Sequence, residues 1–249
     1  MAPGRDAPEN PRRFYAQADV AATEGGFAVR LDGRGVRSPG GRSLILPTWG
    51  LADLIAAEWV AQGETIVFAA MPATRLAFAT LDAAAPAGEA SAGAIVRHAN
   101  ADLLCYPAET PRALVARQAA AWSPLLAWAR DDLGLAFAQS RGIIHRPQPP
   151  ETLARLAEML RGVDDFTLAG VAFATALFGS AILALAVWRG RLDAGAAFAA
   201  SRVDEMFQEE QWGADAEAVV RIRLLAADAT MVGQWLAACQ PPVPYLSLD

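Results

Sequence analysis

Acidic side chains are concentrated in the run Ser201–Gly213, which carries Asp204, Glu205, Glu209 and Glu210. Helical spacing of about 100° per residue places most of these carboxylates on one helix face. The opposite face is apolar and consists of Ala196, Ala199, Ala200, Val203, Met206 and Phe207. Carboxylates in this arrangement can serve an enzyme as a general base, contact another protein, or simply face solvent.

Few other residues could act with these carboxylates in catalysis. All 21 basic residues are arginine, which excludes Walker-type phosphate binding, Schiff-base chemistry and kinase-type catalysis, since each of these needs a lysine. Only His98 and His145 offer imidazole, and only Cys105 and Cys239 offer thiols. The two cysteines are far apart and show no C-x-x-C spacing, which favours a reducing compartment. The scarcity of catalytic partners favours a protein-contact surface.

Three further constellations are explained better by structure than by chemistry. Gly33-Arg34-Gly35 lies in a predicted hairpin with no helix after it, unlike a dinucleotide site. His98 and Cys105 have no further metal ligands at a suitable spacing. Ser180 lacks the G-x-S-x-G pattern and falls inside an apolar stretch. With a net charge of -6 and a pI near 5.0, nucleic-acid binding is also disfavoured. We expect no catalytic residue, cofactor, metal or nucleic-acid partner.

The first part of the chain alternates with the period of a β-strand. Phe27, Val29 and Leu31 alternate with polar or small residues, and Asp32-Gly33 is a hairpin signal. Leu44 and Leu46 then predict a third strand of a β-meander. Thr48 can cap a helix that stops at Gly63, and a further strand is predicted over residues 65–69.

The remainder has helical periodicity. Helices are expected over residues 73–85 and 89–100, with an extended piece over 103–106. Thr110-Pro111 predicts a cap with proline at the first helical position, and that helix should stop before Gly134. Asp164-Asp165 suits a helix N-terminus, and an apolar stripe from Val219 to Leu236 predicts the last helix. The fold class is therefore α+β, with a small β-rich domain followed by a larger helical one.

The domain boundaries follow from this change of periodicity. We predict a β-rich N-terminal domain over residues 13–85 and a helical C-terminal domain over residues 86–240. Residues 1–12 and 241–249 are polar or proline-containing and lack such periodicity, so we expect them to be tails.

Residues 168–188 carry no formal charge over a length that could span a bilayer. The stretch is rich in alanine and glycine, however, and these contribute little transfer free energy compared with leucine or isoleucine. We therefore interpret it as one central buried helix of a bundle. A membrane-anchored accessory protein remains the alternative, and recovery without detergent distinguishes the two.

Several motifs, in order along the chain, carry a resemblance to a known family. The run Ser201–Gly213 fits S-R-x-[DE]-E-x-[FY]-Q-x-x-x-W-G. Upstream, the chain has E-W-x-x-Q at Glu58 to Gln62, T-x-L-x-x-x-T-x-D at Thr74 to Asp82, C-Y at Cys105-Tyr106, and W-x-P-x-x-x-W at Trp122 to Trp128. Together they make the chain similar to the assembly-factor-2 family of ATP synthase chaperones.

The resemblance implies a function and a site. Members of that family hold the unassembled α subunit of ATP synthase, so it implies a non-enzymatic assembly chaperone, expected to act as a monomer in the bacterial cytoplasm. Eukaryotic members act in the mitochondrial matrix. The resemblance gives Glu205 the main partner-binding role, with Asp204 as the weaker candidate. It departs at Met206, where the family often has a third acid. Arg202, Trp212 and Phe198 complete the expected partner-binding set.

A small-molecule enzyme is the rival from another class. In that reading Glu205 acts as a general base and Arg202 binds an anionic substrate in an interdomain cleft. A deep polar pocket around Glu205 would favour the enzyme, whereas an open surface would favour the chaperone.

Overall fold

A computed structural model describes residues 10–83, 87–140, 146–213 and 215–240. The chain folds into two compact units. One unit is Met1–Ala83 with Ala238–Asp249, and the other is Ala84–Ala237. The expected tails lie mostly outside the described residues, as does His145. Residues 11 and 12 are described: the carbonyl of Pro11 accepts a hydrogen bond from the amide of Ile66.

The N-terminal unit contains an antiparallel sheet and two helices. The strands are β1 (Ala18–Thr23), β2 (Gly26–Leu31), β3 (Arg34–Gly35) and β4 (Ile45–Leu46), and the helices are α1 (Trp49–Val60) and α2 (Pro72–Asp82). The Asp32-Gly33 turn joins β2 to β3 as predicted, and both residues have positive φ, of 48° and 79°. That backbone matches the twist of a two-residue hairpin.

Two features of the sheet differ from the predicted meander. Strand β1 was not predicted, because Val20 is its only large apolar residue. Strand β4 pairs with β2 rather than with β3, through Phe27 opposite Leu46. Gly26 makes this crossing possible, since a Cβ there would lie 2.3 Å from the carbonyl oxygen of Leu46.

The start of α1 is predicted correctly, and its end is not. Thr48 caps the helix, and its side chain accepts the amide hydrogen of Leu51. The helix ends at Val60 rather than at Gly63. The reason is Gln62, whose side-chain amide donates to the carbonyl of Glu58 at 2.9 Å and whose side-chain oxygen accepts the amide of Val67 at 2.8 Å.

The second bond also explains why residues 65–69 do not form the predicted strand. The amide of Val67 bonds to the side chain of Gln62 instead of a neighbouring strand. What remains is one isolated bridge from Thr65 to Arg12, followed by a single 3-10 turn at Phe68–Ala70. The strand prediction was wrong because no ladder partner is available within the described part of the chain.

The second unit is helical. Its helices are α3 (Ala87–Ala99), α4 (Arg112–Leu133), α5 (Pro150–Leu160), α6 (Asp165–Phe178), α7 (Ala181–Trp188), α8 (Ala194–Ser201), α9 (Val203–Trp212) and α10 (Ala216–Cys239). Helix α7 is the centre of the core, because its residues from Ala181 to Ala186 are completely buried. The small β-rich unit and the larger helical unit confirm the predicted fold class.

Two local predictions in this unit were wrong. Residues 103–105 form a 3-10 turn rather than an extended piece, because the carboxylate of Asp102 accepts the amide of Leu104. Helix α4 begins at Arg112. Thr110 does not cap it: the carbonyl of Pro111 accepts the amide of Val115, so Pro111 occupies the cap position. The end of α4 at Gly134, with a φ of 70°, is as predicted.

The apolar stretch 168–188 is two helices rather than one. Gly179 ends α6 in a left-handed conformation, and Ser180 caps α7. These helices have 14 and 8 residues, and at about 1.5 Å per residue neither reaches across the roughly 30 Å core of a bilayer. Within the part of the chain that the structure describes, no helix is long and apolar enough to cross a membrane.

Candidate functional site

The acidic motif lies on α9, and it is separated from α8 by a break at Arg202. Arg202 has φ -119° and ψ 19°, outside the helical region. The helical spacing applied to residues 196–207 therefore does not hold through Arg202, and α9 itself ends at Trp212. The break separates the residues of α8 from those of α9, so helical spacing alone does not determine their common face.

Trp122 stabilises this break. Its indole nitrogen donates a 2.8 Å hydrogen bond to the carbonyl of Ala200, in the last turn of α8. Carbonyls at a helix end lack intrahelical partners and need another donor. The tryptophan is buried, so it contributes both apolar burial and a specific donor to the position of the α8–α9 junction.

Glu205 and Trp212 are the two predicted site residues that remain open to a partner. Glu205 is exposed in the first turn of α9 and makes no hydrogen bond or ion pair with any residue that the structure describes. Trp212 is 79 % exposed at the end of the same helix. Tryptophan is one of the residue types enriched at the binding hot spots of protein interfaces.

Asp204 is bonded within the protein. Its carboxylate is half-buried and accepts a 2.5 Å hydrogen bond from the side-chain amide of Gln118 on α4. Gln118 is completely buried, and its side-chain oxygen accepts the amide of Ala108 at 2.7 Å. The carboxylate of Asp204 therefore positions α9 on α4, and Glu205 is the one of this pair that points to solvent.

Arg202 and Phe198 also interact within the chain. The guanidinium of Arg202 pairs with Glu209 at 2.9 Å and lies 5.8 Å from the ring centroid of Phe198. Both groups of the ion pair are partly shielded from water, so the pair is worth more than an exposed one. Arg202 thus stabilises the junction of α8 with α9, and Phe198 lies beside it.

Most of the predicted apolar face borders an open cavity, although Ala200 is buried. Ala196, Ala199, Ala200, Val203 and Met206 line this cavity, whose volume is about 450 Å³. Phe207 is not among the lining residues, and its ring lies 5.2 Å from the guanidinium of Arg117. Helix α9 contains no fully buried residue. The face that helical spacing identified is real, but it is not filled by the protein itself.

The most perturbed carboxyl group described in this unit is one that no sequence motif pointed to. Asp102 is completely buried, and it accepts hydrogen bonds from the Ser180 hydroxyl at 2.7 Å and from the amides of Ile182 and Leu104 at 3.1 Å. Burial raises its pKa to about 6, against the lowering effect of these bonds. Ser180 caps α7 rather than lying inside a helix. Its bond to Asp102 joins the segment around Asp102 to the start of α7 and is structural. The only sequence signal was Gly179-Ser180, a helix stop followed by a cap.

Glu58 explains the E-W-x-x-Q and T-x-L motifs in the N-terminal unit. Its carboxylate accepts bonds from the amides of Ala73 and Thr74, at 2.8 and 2.7 Å, and from the Thr74 hydroxyl at 2.7 Å. The amides at the start of α2 have no partner within the helix, and an acceptor there stabilises it. These motif residues build the scaffold and are not part of the α9 surface.

Replacing Glu58 by alanine is expected to lower the free energy of unfolding by about 2 kcal/mol, because it leaves first-turn donors of α2 without their acceptor. Urea unfolding followed by circular dichroism measures this loss. Asp53→Ala is the matched control, because it lies on the exposed face of α1, the helix that also carries Glu58. Its free energy of unfolding should stay within about 0.5 kcal/mol of the parent value. Equal urea midpoints for Glu58→Ala and Asp53→Ala would contradict the role of Glu58 as the acceptor for the first-turn amides of α2.

No group of three or more His, Cys, Asp or Glu side chains is placed to hold a metal ion within the described ranges. The cavity on the other side of α9 is largely apolar. The arrangement is an open surface with an acidic and aromatic rim rather than a polar pocket.

Comparison with known proteins identifies close structural relatives. Residues 12–130 match the family model described as ATP12 chaperone protein. The crystal structure of Atp12 from Paracoccus denitrificans is 40% identical, with a TM-score of 0.86, over 92% of this chain and 99% of that one. The Atu1473 protein of Agrobacterium tumefaciens, a candidate chaperone, is 39% identical, with a TM-score of 0.86, over 92% and 87% of the two chains.

A eukaryotic relative is more distant. Protein atp12, mitochondrial, of Schizosaccharomyces pombe is 27% identical over 214 residues, which are 81% of this chain and 74% of that protein.

Proposed function

The chain belongs to the ATP12 chaperone family, and on that premise we propose that it binds the unassembled α subunit of ATP synthase before the catalytic head is built. Membership makes it a chaperone of ATP synthase assembly and not an enzyme. The identity of the client as the α subunit is our proposal. It is supported by the resemblance of the acidic motif to that of the family and by the exposed surface on which the motif lies.

The proposal rests on two exposed side chains of α9. Its outer face presents Glu205 without a partner among the described residues, and Trp212 with 79 % of its surface exposed. An aromatic anchor beside a free carboxylate suits a protein interface, because the ring supplies buried area and the charge supplies orientation. We propose that Glu205 and Trp212 contact the client directly, whereas Asp204, Arg202 and Phe198 hold α9 in place for them.

The role of an assembly chaperone also limits how tightly it can bind its client. A chaperone for an unassembled subunit covers surface that the true neighbour later covers, so its affinity must be lower than that of the final interface. A small contact area with polar elements meets this requirement. We further propose that the protein acts as a monomer in the bacterial cytoplasm, and its similarity to the Paracoccus and Agrobacterium proteins supports a bacterial setting.

The direct test is co-expression with the α subunit alone. We expect the soluble fraction of α to rise when this protein is present and to fall back when it is omitted. If α precipitates to the same extent in both cases, the proposed client is wrong.

Glu205→Ala is expected to reduce the rescue of α several-fold without changing the melting temperature, because the side chain is exposed and has no partner among the described residues. The loss should be visible as a smaller soluble fraction of α at matched chaperone levels. Glu151→Ala, which removes an exposed carboxylate from α5, is the control and should rescue as well as the parent. Full rescue by Glu205→Ala would remove this residue from the site.

A further inference from the structure

The cavity on the inner side of α9 is an apolar groove with helical walls. Ala121, Pro124 and Leu125 of α4 form one wall, and Ala199, Val203 and Met206 form the other. This α4–α8–α9 groove has a volume of about 450 Å³. Apolar concavities of this size are within the range that proteins use to bind ligands or side chains of a partner.

The groove is open because α9 is attached to α4 by polar contacts. Gln118 donates to Asp204 at 2.5 Å, and Arg117 pairs with Glu210 at 2.7 Å. These contacts hold the helix without filling the space behind it. On the α8 wall, the lining side chains of Ala196, Ala199 and Ala200 are single methyl groups. Met206, which is 44 % exposed, has a flexible thioether that adapts to different apolar partners.

The groove also carries a positive charge that no described residue neutralises, on the segment between α7 and α8. Arg191 is exposed, lines the groove, and forms no hydrogen bond or ion pair through its side chain with any described residue. Arg117 also lines the groove, but Glu210 neutralises it. In a chain with a net charge of -6, a free guanidinium beside an apolar groove favours an occupant that carries a carboxylate.

We propose that the α4–α8–α9 groove binds an apolar segment of the client that carries an acidic residue, with the carboxylate paired to Arg191. This rests on the proposed function, because it takes the occupant to be part of the unassembled α subunit. The segment inserts a few aliphatic or aromatic side chains between α4 and α8, as an amphipathic helix does in a hydrophobic groove. Glu205 and Trp212 on the outer side of α9 contact a different part of the client.

Blocking the groove tests the apolar part of the proposal. The probe is an array of overlapping peptides covering the α subunit, overlaid with the purified full-length protein. Ala199→Trp places a large ring in the groove at an exposed position of α8. We expect it to lower binding to apolar, acid-containing peptides at least ten-fold. Ala154→Trp on the exposed face of α5 is the control and should bind as the parent does.

Reversing the charge tests the acidic part. With Arg191→Glu, we expect the bound peptides to change from those with Asp or Glu to those with Lys or Arg beside the apolar residues. Arg223→Glu makes the same change of net charge on α10 and should leave the selection unchanged. Unchanged peptide binding by both Ala199→Trp and Arg191→Glu overturns the proposal. So does a parent dimer in sedimentation that Ala199→Trp dissociates, because the groove would then hold a second copy.

Failure of the groove proposal can be told apart from failure of the proposed function. If the parent keeps α soluble and Ala199→Trp does so equally well, the function stands and the groove has no part in it. If the parent itself does not keep α soluble, the client is wrong and so is this assignment. The melting temperatures of all variants, measured in parallel, should match that of the parent within a few degrees.

Discussion

Asp102→Ala is expected to lower the free energy of unfolding by about 3 kcal/mol at neutral pH, because it leaves buried donors without an acceptor. Those donors are the hydroxyl of Ser180 and the amides of Ile182 and Leu104. All of these groups are completely buried in the core of the helical unit. Chemical unfolding followed by tryptophan fluorescence measures the change.

The control for this substitution is Asp132→Ala, which removes an exposed carboxylate from the end of α4. It should change stability by no more than about 0.5 kcal/mol. A similarly small effect of Asp102→Ala would show that the junction between Asp102 and Ser180 contributes little to folding.

The same carboxyl group also predicts a pH dependence of stability. Burial raises the pKa of Asp102 to about 6, from an ordinary value of 3.8. Between these two values the folded protein binds more protons than the unfolded chain, so the free energy of unfolding falls as the pH rises from about 4 to about 6. The size is on the order of 3 kcal/mol. Asp102→Asn has no such titration, and its stability should fall less than that of the parent over this pH range. Parallel pH profiles would contradict the raised pKa.

Gly170→Val is expected to destabilise the helical unit by about 3 kcal/mol, because there is no space for its side chain. A Cβ at Gly170 would lie 2.5 Å from Cδ1 of Trp235 and 2.9 Å from Cδ2 of Leu236. Both neighbours are buried, and the indole nitrogen of Trp235 donates to the carbonyl of Phe166 at 2.9 Å. Making room would move the tryptophan and break this bond. Thermal unfolding and near-UV circular dichroism report both effects.

Gly93→Val on α3 is the matched control for Gly170→Val. A Cβ at Gly93 would meet only the terminal nitrogen of Arg97, at 3.2 Å, and that flexible side chain can move aside. The control should be neutral or slightly stabilising, since leaving glycine favours a helix. Equal destabilisation by the two substitutions would mean that the close contact with Trp235 has no special cost.

Local signals in the sequence were reliable where the physical cause is local. The cap at Thr48, the hairpin at Asp32-Gly33, the stop at Gly134 and the cap at Asp164 all depend on neighbouring residues, and the structure confirms each one. The apolar period of the last helix was likewise sufficient to place α10.

Predictions failed where a distant residue decides the local structure. Ser180 looked like part of a long apolar helix, but its hydroxyl donates a hydrogen bond to Asp102, which lies 78 positions away. Residues 65–69 looked like a strand, but no ladder partner among the described residues is present to complete it. A single sequence does not reveal such partners, because they depend on the tertiary arrangement.

The candidate site shows both outcomes within a few residues. The family motif predicts Glu205 as the main contact residue. Helical spacing correctly placed Val203 and Met206 on one apolar face of α9. It did not reveal that Asp204 bonds to Gln118, or that Arg202 pairs with Glu209. It also did not reveal that the apolar face borders an open groove. Whether a polar residue is free or engaged depends on its three-dimensional neighbours.

Since α9 buries none of its side chains completely, its exposed positions without a bonding role, such as Gln208 and Gln211, are free to mutate at little cost to folding. The scaffold residues whose replacement is costly, among them Asp102, Gly170 and Trp235, are elsewhere in the unit. Evolution could therefore retune partner choice on this one helix while the rest of the architecture stays intact.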